Sequence, residues 1–211
     1  MSNSKLISYT KLSPNYTKMT NKQNKKITIH HMAGNLTVEQ CGNVFASSSR
    51  KASSNYGIGS DGRIALYVDE SNRAWTSSSS ANDSQAITIE VANCSGEPDW
   101  KVSDKAMSAL LDLCEDICRR NNITELNFTG DATGNLTQHN YFAATACPGP
   151  YLKARFQAIA DEVNRRLKND GATTNKSTIY RVQVGAFSNK KNAENLLKKL
   201  QAAGYKDAFI K

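Results

Sequence analysis

An α/β fold, with a central mixed β-sheet flanked by helices and a small C-terminal βαβ unit, is predicted by three features of this 211-residue chain. Two alternating, β-branched runs, ITIHH at 27–31 and ITIEVAN at 87–93, have the pattern of strands. Stretches with apolar residues at helical spacing come between and after them, giving the order β-α-β-β-β-α-(β)-α, which sets helices on the faces of one sheet. A polar run without large apolar side chains, NDGATTNKST, then precedes a last strand–helix–strand pattern.

The first strand closes on His30 and His31. Thr37 with Gln40 forms a capping box, and Val38, Cys41, Val44 and Phe45 give one apolar face of a helix running to about Arg50. Ser60-Asp61-Gly62 makes a hairpin turn between NYGIG and RIALYV. In 87–93, Ile87, Ile89 and Val91 alternate with Thr88, Glu90 and Ala92, so one face is apolar and the other carries a carboxylate. Ser103 caps a long helix with Met107, Leu110, Leu111, Cys114, Ile117 and Cys118 at a 3.6 period. The stretch 123–137, with Gly130 and Gly134, is expected to be irregular or to form a sheet edge. Beyond Pro148 and Pro150, residues 151–167 form a helix with Leu152, Phe156, Ile159 and Val163 inward. These elements define a domain over 1–168, a linker over 169–178 and a unit over 179–211. In that unit IYRVQVGAF is a strand, Ala193, Leu196, Leu197 and Leu200 line a helix, and DAFIK starts a second strand. At about 33 residues it is below the size that usually folds unaided.

The formal charge of +8 is unevenly spread. Residues 1–26 hold six lysines and no acid, and 176–211 hold eight Lys/Arg against Glu194 and Asp207, around a mildly acidic middle. Basic ends suit nucleic acid, an anionic membrane surface or an anionic polymer such as a cell wall, or are simply solvated lysine faces. No nucleic-acid motif is present. No stretch approaches the roughly 20 apolar residues of a membrane span, and MSNSKLISYTKLSP lacks the apolar run of a secretion signal. The expectation is a soluble protein made in the bacterial cytoplasm, without membrane insertion. Five cysteines cannot all pair within one chain. Cys114 and Cys118, one helical turn apart, are a metal pair or core packing; their apolar neighbours favour the core, as for Cys41 and Cys94.

All three histidines fall in two segments, His30-His31 and His139 in QHNYFAATACPGP, with Cys147 eight positions after His139. Imidazole nitrogen and thiolate sulfur select zinc, and three protein ligands leave a fourth tetrahedral position for water.

The histidine pair closing an early strand, the SDGRI hairpin followed by Ala74-Trp75, and TACPGP after His139 occur together in one family. On these motifs, residues 10–168 resemble the type-2 zinc N-acetylmuramoyl-L-alanine amidases, which include phage endolysins and peptidoglycan-recognition proteins. The resemblance implies one Zn2+ held by His30, His139 and Cys147, with water in the fourth position. It leaves His31 as a packed neighbour or a substrate contact. Glu90, the sole acid of its strand, matches the general base of the Ile-Glu subgroup. Ser54 stands where other branches carry a catalytic tyrosine, and Tyr56 is expected to pack in its strand. Thr145 stands where some members place an oxyanion-stabilising lysine; its hydroxyl donates one hydrogen bond but brings no charge. The tail VQVGAFS…A…L…L…G resembles the first half of a sporulation-related (SPOR) wall-binding repeat, which pairing with a second copy would complete. The implied activity is hydrolysis of the muramoyl–L-alanine amide of bacterial peptidoglycan, as an endolysin or mother-cell lysis enzyme acting on the wall after release. The rivals are a non-catalytic peptidoglycan receptor and a cytosolic muropeptide-recycling amidase.

Overall fold

The computed structural model describes residues 2–169, 184–205 and 208–210. Contacts divide the chain into two compact units, Met1–Thr173 and Thr174–Lys211.

The first unit is built on a six-stranded mixed sheet. Its strands are β1 (Tyr9–Thr10), β3 (Lys26–His31), β4 (Tyr56–Ile58), β5 (Ile64–Leu66), β7 (Ala86–Val91) and β8 (Leu136–Gln138), in the order β1-β5-β4-β7-β3-β8. Only β4–β5, joined by the SDG turn, is antiparallel; the other neighbours are parallel. A separate ribbon pairs β2 (Tyr16–Thr17) with β6 (Arg73–Ala74). The two-residue strands β1, β2 and β6 lack the length for a visible alternation in sequence.

The alternation in β3 and β7 separates two covered faces. Ile27, Ile29, Ile87, Ile89 and Tyr56 share one face and are fully buried against α3 (Asp104–Arg120) and α5 (Phe156–Asn169). Each aliphatic side chain so buried stabilises the fold by about 1.5–3 kcal/mol. The opposite face meets α1 (Val38–Ala46), whose Val38, Cys41 and Phe45 cluster with Ala65 and Tyr67. The Thr37–Gln40 capping box is present. The inward stripe of α1 is Val38, Cys41, Gly42 and Phe45, which leaves Val44, expected inward, 40% exposed. Gly42 takes the place beneath Tyr67, since a Cβ there would meet the ring at 3.1 Å. The helix also ends at Ala46, and a separate 3-10 turn spans Ser48–Arg50.

In α3 the core positions are Ala106, Ala109, Leu110, Leu113, Cys114, Ile117 and Cys118, with Met107 and Leu111 half-buried beside them. Cys114 and Cys118 are core residues, as their neighbours suggested; Cys94, expected inside, is exposed. The helix expected over 151–167 is two pieces, α4 (Gly149–Lys153) and α5, and its four apolar residues are buried. α2 (Ser80–Asp83) is a single turn whose N-cap, Ser79, accepts from the Asn82 N–H.

Tyr56 packs as expected for a strand aromatic. Its hydroxyl donates to Glu70 Oε1 (2.6 Å) and accepts from the Ser4 N–H (2.9 Å), while Arg120 holds both oxygens of the buried Glu70. Tyr56→Phe is expected to lower unfolding stability by about 1–3 kcal/mol, the cost of unpaired buried partners. Turnover should stay within about twofold. Denaturant unfolding and a rate assay read the two.

The N-terminal lysines are partly used internally. Lys22 is buried, its Nζ donating to Asn72 O and Ala86 O, and burial lowers its pKa to about 8. Lys26 Nζ donates to Ala132 O and Lys11 Nζ to Asn43 Oδ1. Half of the N-terminal charge run is thus engaged within the fold, while Lys5, Lys18 and Lys25 are exposed.

In the second unit, α6 (Lys190–Ala202) is capped by Asn189 and buries no residue fully. Residues 184–187 and 208–210 run without regular strand pairing. The rest of the two expected strands, and of the expected linker after Asn169, lies outside the described residues.

Candidate metal centre

His30, Glu90 and Gly57 lie side by side on one face of the sheet, because β3, β7 and β4 are in register there. β8 pairs with β3 on the other side, and His139 follows immediately as the first residue of a 3-10 turn, His139–Tyr141. Cys147 comes from the loop before α4. It brings its sulfur to 3.6 Å from His30 Nδ1, and the rings of His30 and His139 are 4.7 Å apart between centroids. One donor atom from each of His30, His139 and Cys147 lies within 4.8 Å of the other two.

The electrostatics suit a cation-binding cluster. Nε2 of His30 and of His139 are buried without a hydrogen-bond partner. Burial holds both imidazoles below their ordinary pKa, so they are neutral, as metal ligands must be. Burial pushes the Cys147 thiol up, as does the Glu90 charge, and a hydrogen bond from the His31 backbone partly opposes this. Thiolate character there requires a positive charge in the cluster. One nitrogen from each imidazole and a thiol, all within 4.8 Å of one another, fit a zinc ion.

Glu90 stands next to the cluster. Its Oε2 is buried without a partner, and burial raises its pKa to about 8, with Arg50 the one charge opposing the rise. Tyr67 fills the space over Gly57, where a Cβ would meet its ring at 2.4 Å; Tyr67 Oη donates to Val38 O. A glycine at 57 thus lets an aromatic ring close that side of the Glu90 row.

The structure brings together His30, His139, Cys147 and Glu90. Thr145 is exposed, and its Oγ1 accepts from the Cys147 N–H (3.2 Å), which shapes the loop carrying the sulfur. His31 points to the other face, where its ring meets Trp100 edge-on at 5.4 Å; it is a packed neighbour. Ser54 is buried and donates to the Thr88 and Tyr56 carbonyls.

A row of threonines beneath the cluster escaped sequence reasoning. Thr28, Thr88 and Thr137 are in register, each two residues before His30, Glu90 and His139, and so on the same face. Thr28 Oγ1 lies 2.9 Å from Thr137 Oγ1 and accepts from Asn82 Nδ2; Thr88 Oγ1 lies 2.9 Å from Thr76 Oγ1. Buried Asp83 accepts from the Ser77 hydroxyl and from the Thr76 and Ser77 N–H groups, pinning the 75–83 loop under the row. The signal was available: T-I-H, T-I-E and T-Q-H repeat one spacing.

Two histidines and a cysteine converging from three segments, with an unpaired carboxyl on the adjacent strand, have the donor set of a hydrolytic zinc centre. The family model for N-acetylmuramoyl-L-alanine amidase (Amidase_2) matches residues 20–150, and the chain belongs to that family. The SPOR domain model matches 153–211. Among solved structures, AmiA, a Staphylococcus aureus hydrolase in complex with its ligand, is 17% identical at a TM-score of 0.61, over 82% of this chain and 89% of that one. PlyL is 17% identical at 0.57, over 74% and 96%. An AmpD derivative is 20% identical at 0.57, over 76% and 99%. These likenesses carry the fold. A search of curated protein sequences found no match. Among the described residues, no helix is long and apolar enough to cross a membrane.

Proposed function

We propose that this amidase is zinc-dependent and cuts the amide between N-acetylmuramic acid and L-alanine in peptidoglycan, with His30, His139 and Cys147 as ligands and Glu90 as general base. The observation that carries the reading is the donor cluster with an unpartnered carboxyl in register beside it. Zinc held there would acidify a water molecule and polarise the scissile carbonyl. Glu90 takes a proton from the attacking water and delivers it to the departing L-alanine amine. The apolar walls that raise the Glu90 pKa also keep its carboxyl from being solvated away from that task. Thr145 has its oxygen engaged by the Cys147 N–H, and its hydroxyl proton is free to meet the carbonyl oxygen of the substrate. Metal analysis together with mass spectrometry of digested walls is the test. Bound zinc with new L-alanine amino termini supports the reading; bound zinc without new amines favours a receptor.

The second unit is assigned to wall retention. The residues matched as SPOR begin in α4 and α5, but Phe156, Ile159 and Val163 belong to the core of the first unit. Only the later residues, of which α6 is the described helix, remain for a wall module. On α6, Lys190, Lys191, Lys198 and Lys199 are exposed, and Val184, Phe187, Phe209 and Ile210 are exposed apolar groups. Pairing with the same unit of a second copy would cover them, and light scattering at micromolar concentration reads this: a monomeric mass removes the dimer. Among the described residues, the core cluster of the first unit ends with Val163 and the partly buried Leu167. A chain cut after Asn169 is therefore expected to keep its rate on soluble muropeptides and to lose sedimentation with walls. Equal rates on soluble fragments by a full chain that never sediments would favour a recycling enzyme. Release onto the wall as an endolysin or mother-cell lysis enzyme fits a wall-directed amidase with a SPOR segment.

A further inference from the structure

Asp83, at the end of α2, is a carboxylate almost wholly out of water. It accepts from Ser77 Oγ (2.6 Å), from the Thr76 and Ser77 N–H groups (both 3.0 Å) and from Asn82 Nδ2 (3.3 Å). Every one of these donors is neutral. A charge buried so far is costly unless a cation answers it. Lys22 feels the Asp83 charge, but Glu70 acts on that ammonium more strongly. His139 feels it too: burial lowers the His139 pKa, and Asp83 is the charge that opposes the fall.

Hydrogen bonds tie the same turn to the floor of the metal cluster. Asn82 Nδ2 donates to Thr28 Oγ1 (3.0 Å), which lies 2.9 Å from Thr137 Oγ1. Those threonines stand two residues before His30 and His139. Ser79 Oγ accepts from the Asn82 N–H (3.3 Å), which fixes the backbone from which Asn82 and Asp83 project. Asn82 Oδ1 is buried without a partner, so the turn presents a second uncompensated oxygen. A dication on His139 gains from this arrangement, because charges out of water act on each other with little screening.

We infer that Asp83 is a positioning residue of the metal centre and acts through His139. Its buried charge favours a cation on that imidazole, while the Asn82–Thr28–Thr137 chain keeps the two histidine-bearing strands in place above it. The inference rests on the zinc reading above. Its test measures zinc affinity of the full-length chain by competition with a chromophoric chelator, beside denaturant unfolding of the metal-free protein. Asp83→Asn keeps the shape and removes the charge. It should weaken zinc binding about tenfold, the lower end of what groups supporting a metal ligand contribute. Glu70→Gln is the control, since Glu70 is just as buried but paired with Arg120. It should lower unfolding stability and leave zinc affinity unchanged. Ser77→Ala keeps the Asp83 charge but removes its shortest hydrogen bond, and should weaken zinc about threefold, a share of the same effect. Unchanged zinc affinity in Asp83→Asn, or in Ser77→Ala should Asp83→Asn not fold, would overturn the inference. Equal losses of affinity in Asp83→Asn and Glu70→Gln would overturn it as well, because a loosened fold would then account for both. A wild type that takes up no zinc removes the zinc reading itself, and this inference with it.

Discussion

Glu90→Gln is expected to keep its zinc and lose turnover by about 10²–10⁴-fold, the range a positioned general base contributes. The substitution is nearly isosteric and leaves the β3–β7 register intact, so His30 stays where it is. What disappears is a group able to accept a proton. In the metal-free protein Glu90 has a pKa near 8 because its carboxyl is buried with Oε2 unpartnered. A dication in the adjacent cluster favours the ionised form, and that form is the base. Folding should not suffer, since a neutral amide in an apolar setting replaces a carboxyl that burial already drives toward neutrality. The measurement pairs metal stoichiometry with amine release from walls. Full stoichiometry with unchanged rate would remove Glu90 from the mechanism and move attention to Arg50 and Thr145 as the nearest alternatives for handling charge.

The cluster was legible because its chemistry is rare in this chain: three histidines in two segments and a cysteine at fixed spacing from one of them. The strand alternation that puts Glu90 on the polar side of β7 was also legible, since Ile89 and Val91, its neighbours in the strand, face the other way. What could not be read was adjacency. That β7 lies directly beside β3, in parallel register that places Glu90 opposite His30, depends on the long crossover between them and not on local pattern. Val44 and Cys94 failed for a related reason. An apolar side chain at the border of a helical stripe, or just beyond a strand end, has no local signal that says whether a neighbour will cover it. Gly42 and Gly57 matter because Tyr67 approaches each, a contact made by a residue well separated in sequence from Gly42.

Cys147→Ser is expected to weaken zinc affinity by more than the roughly 10–100-fold typical of losing a supporting contact around a ligand. The thiol is already hard to ionise in this burial, and only a metal makes the thiolate accessible. A serine hydroxyl is far less acidic and is a harder donor, so it neither ionises nor matches the metal. The remaining pair, His30 and His139, supplies two donors, too few for a stable centre. The backbone around the site should survive. The Cys147 N–H bond to Thr145 Oγ1 and the Gly149 N–H bond to Ala146 O do not involve the sulfur, and Leu152 and Phe156 still anchor α4 and α5. A folded protein with little zinc, activity lost in proportion to metal, and partial recovery in excess zinc is therefore the expected pattern. Stoichiometric zinc in this variant at nanomolar free metal would show that the sulfur is not a ligand. That result would leave the His30–Cys147 contact a packing accident rather than the third corner of the centre.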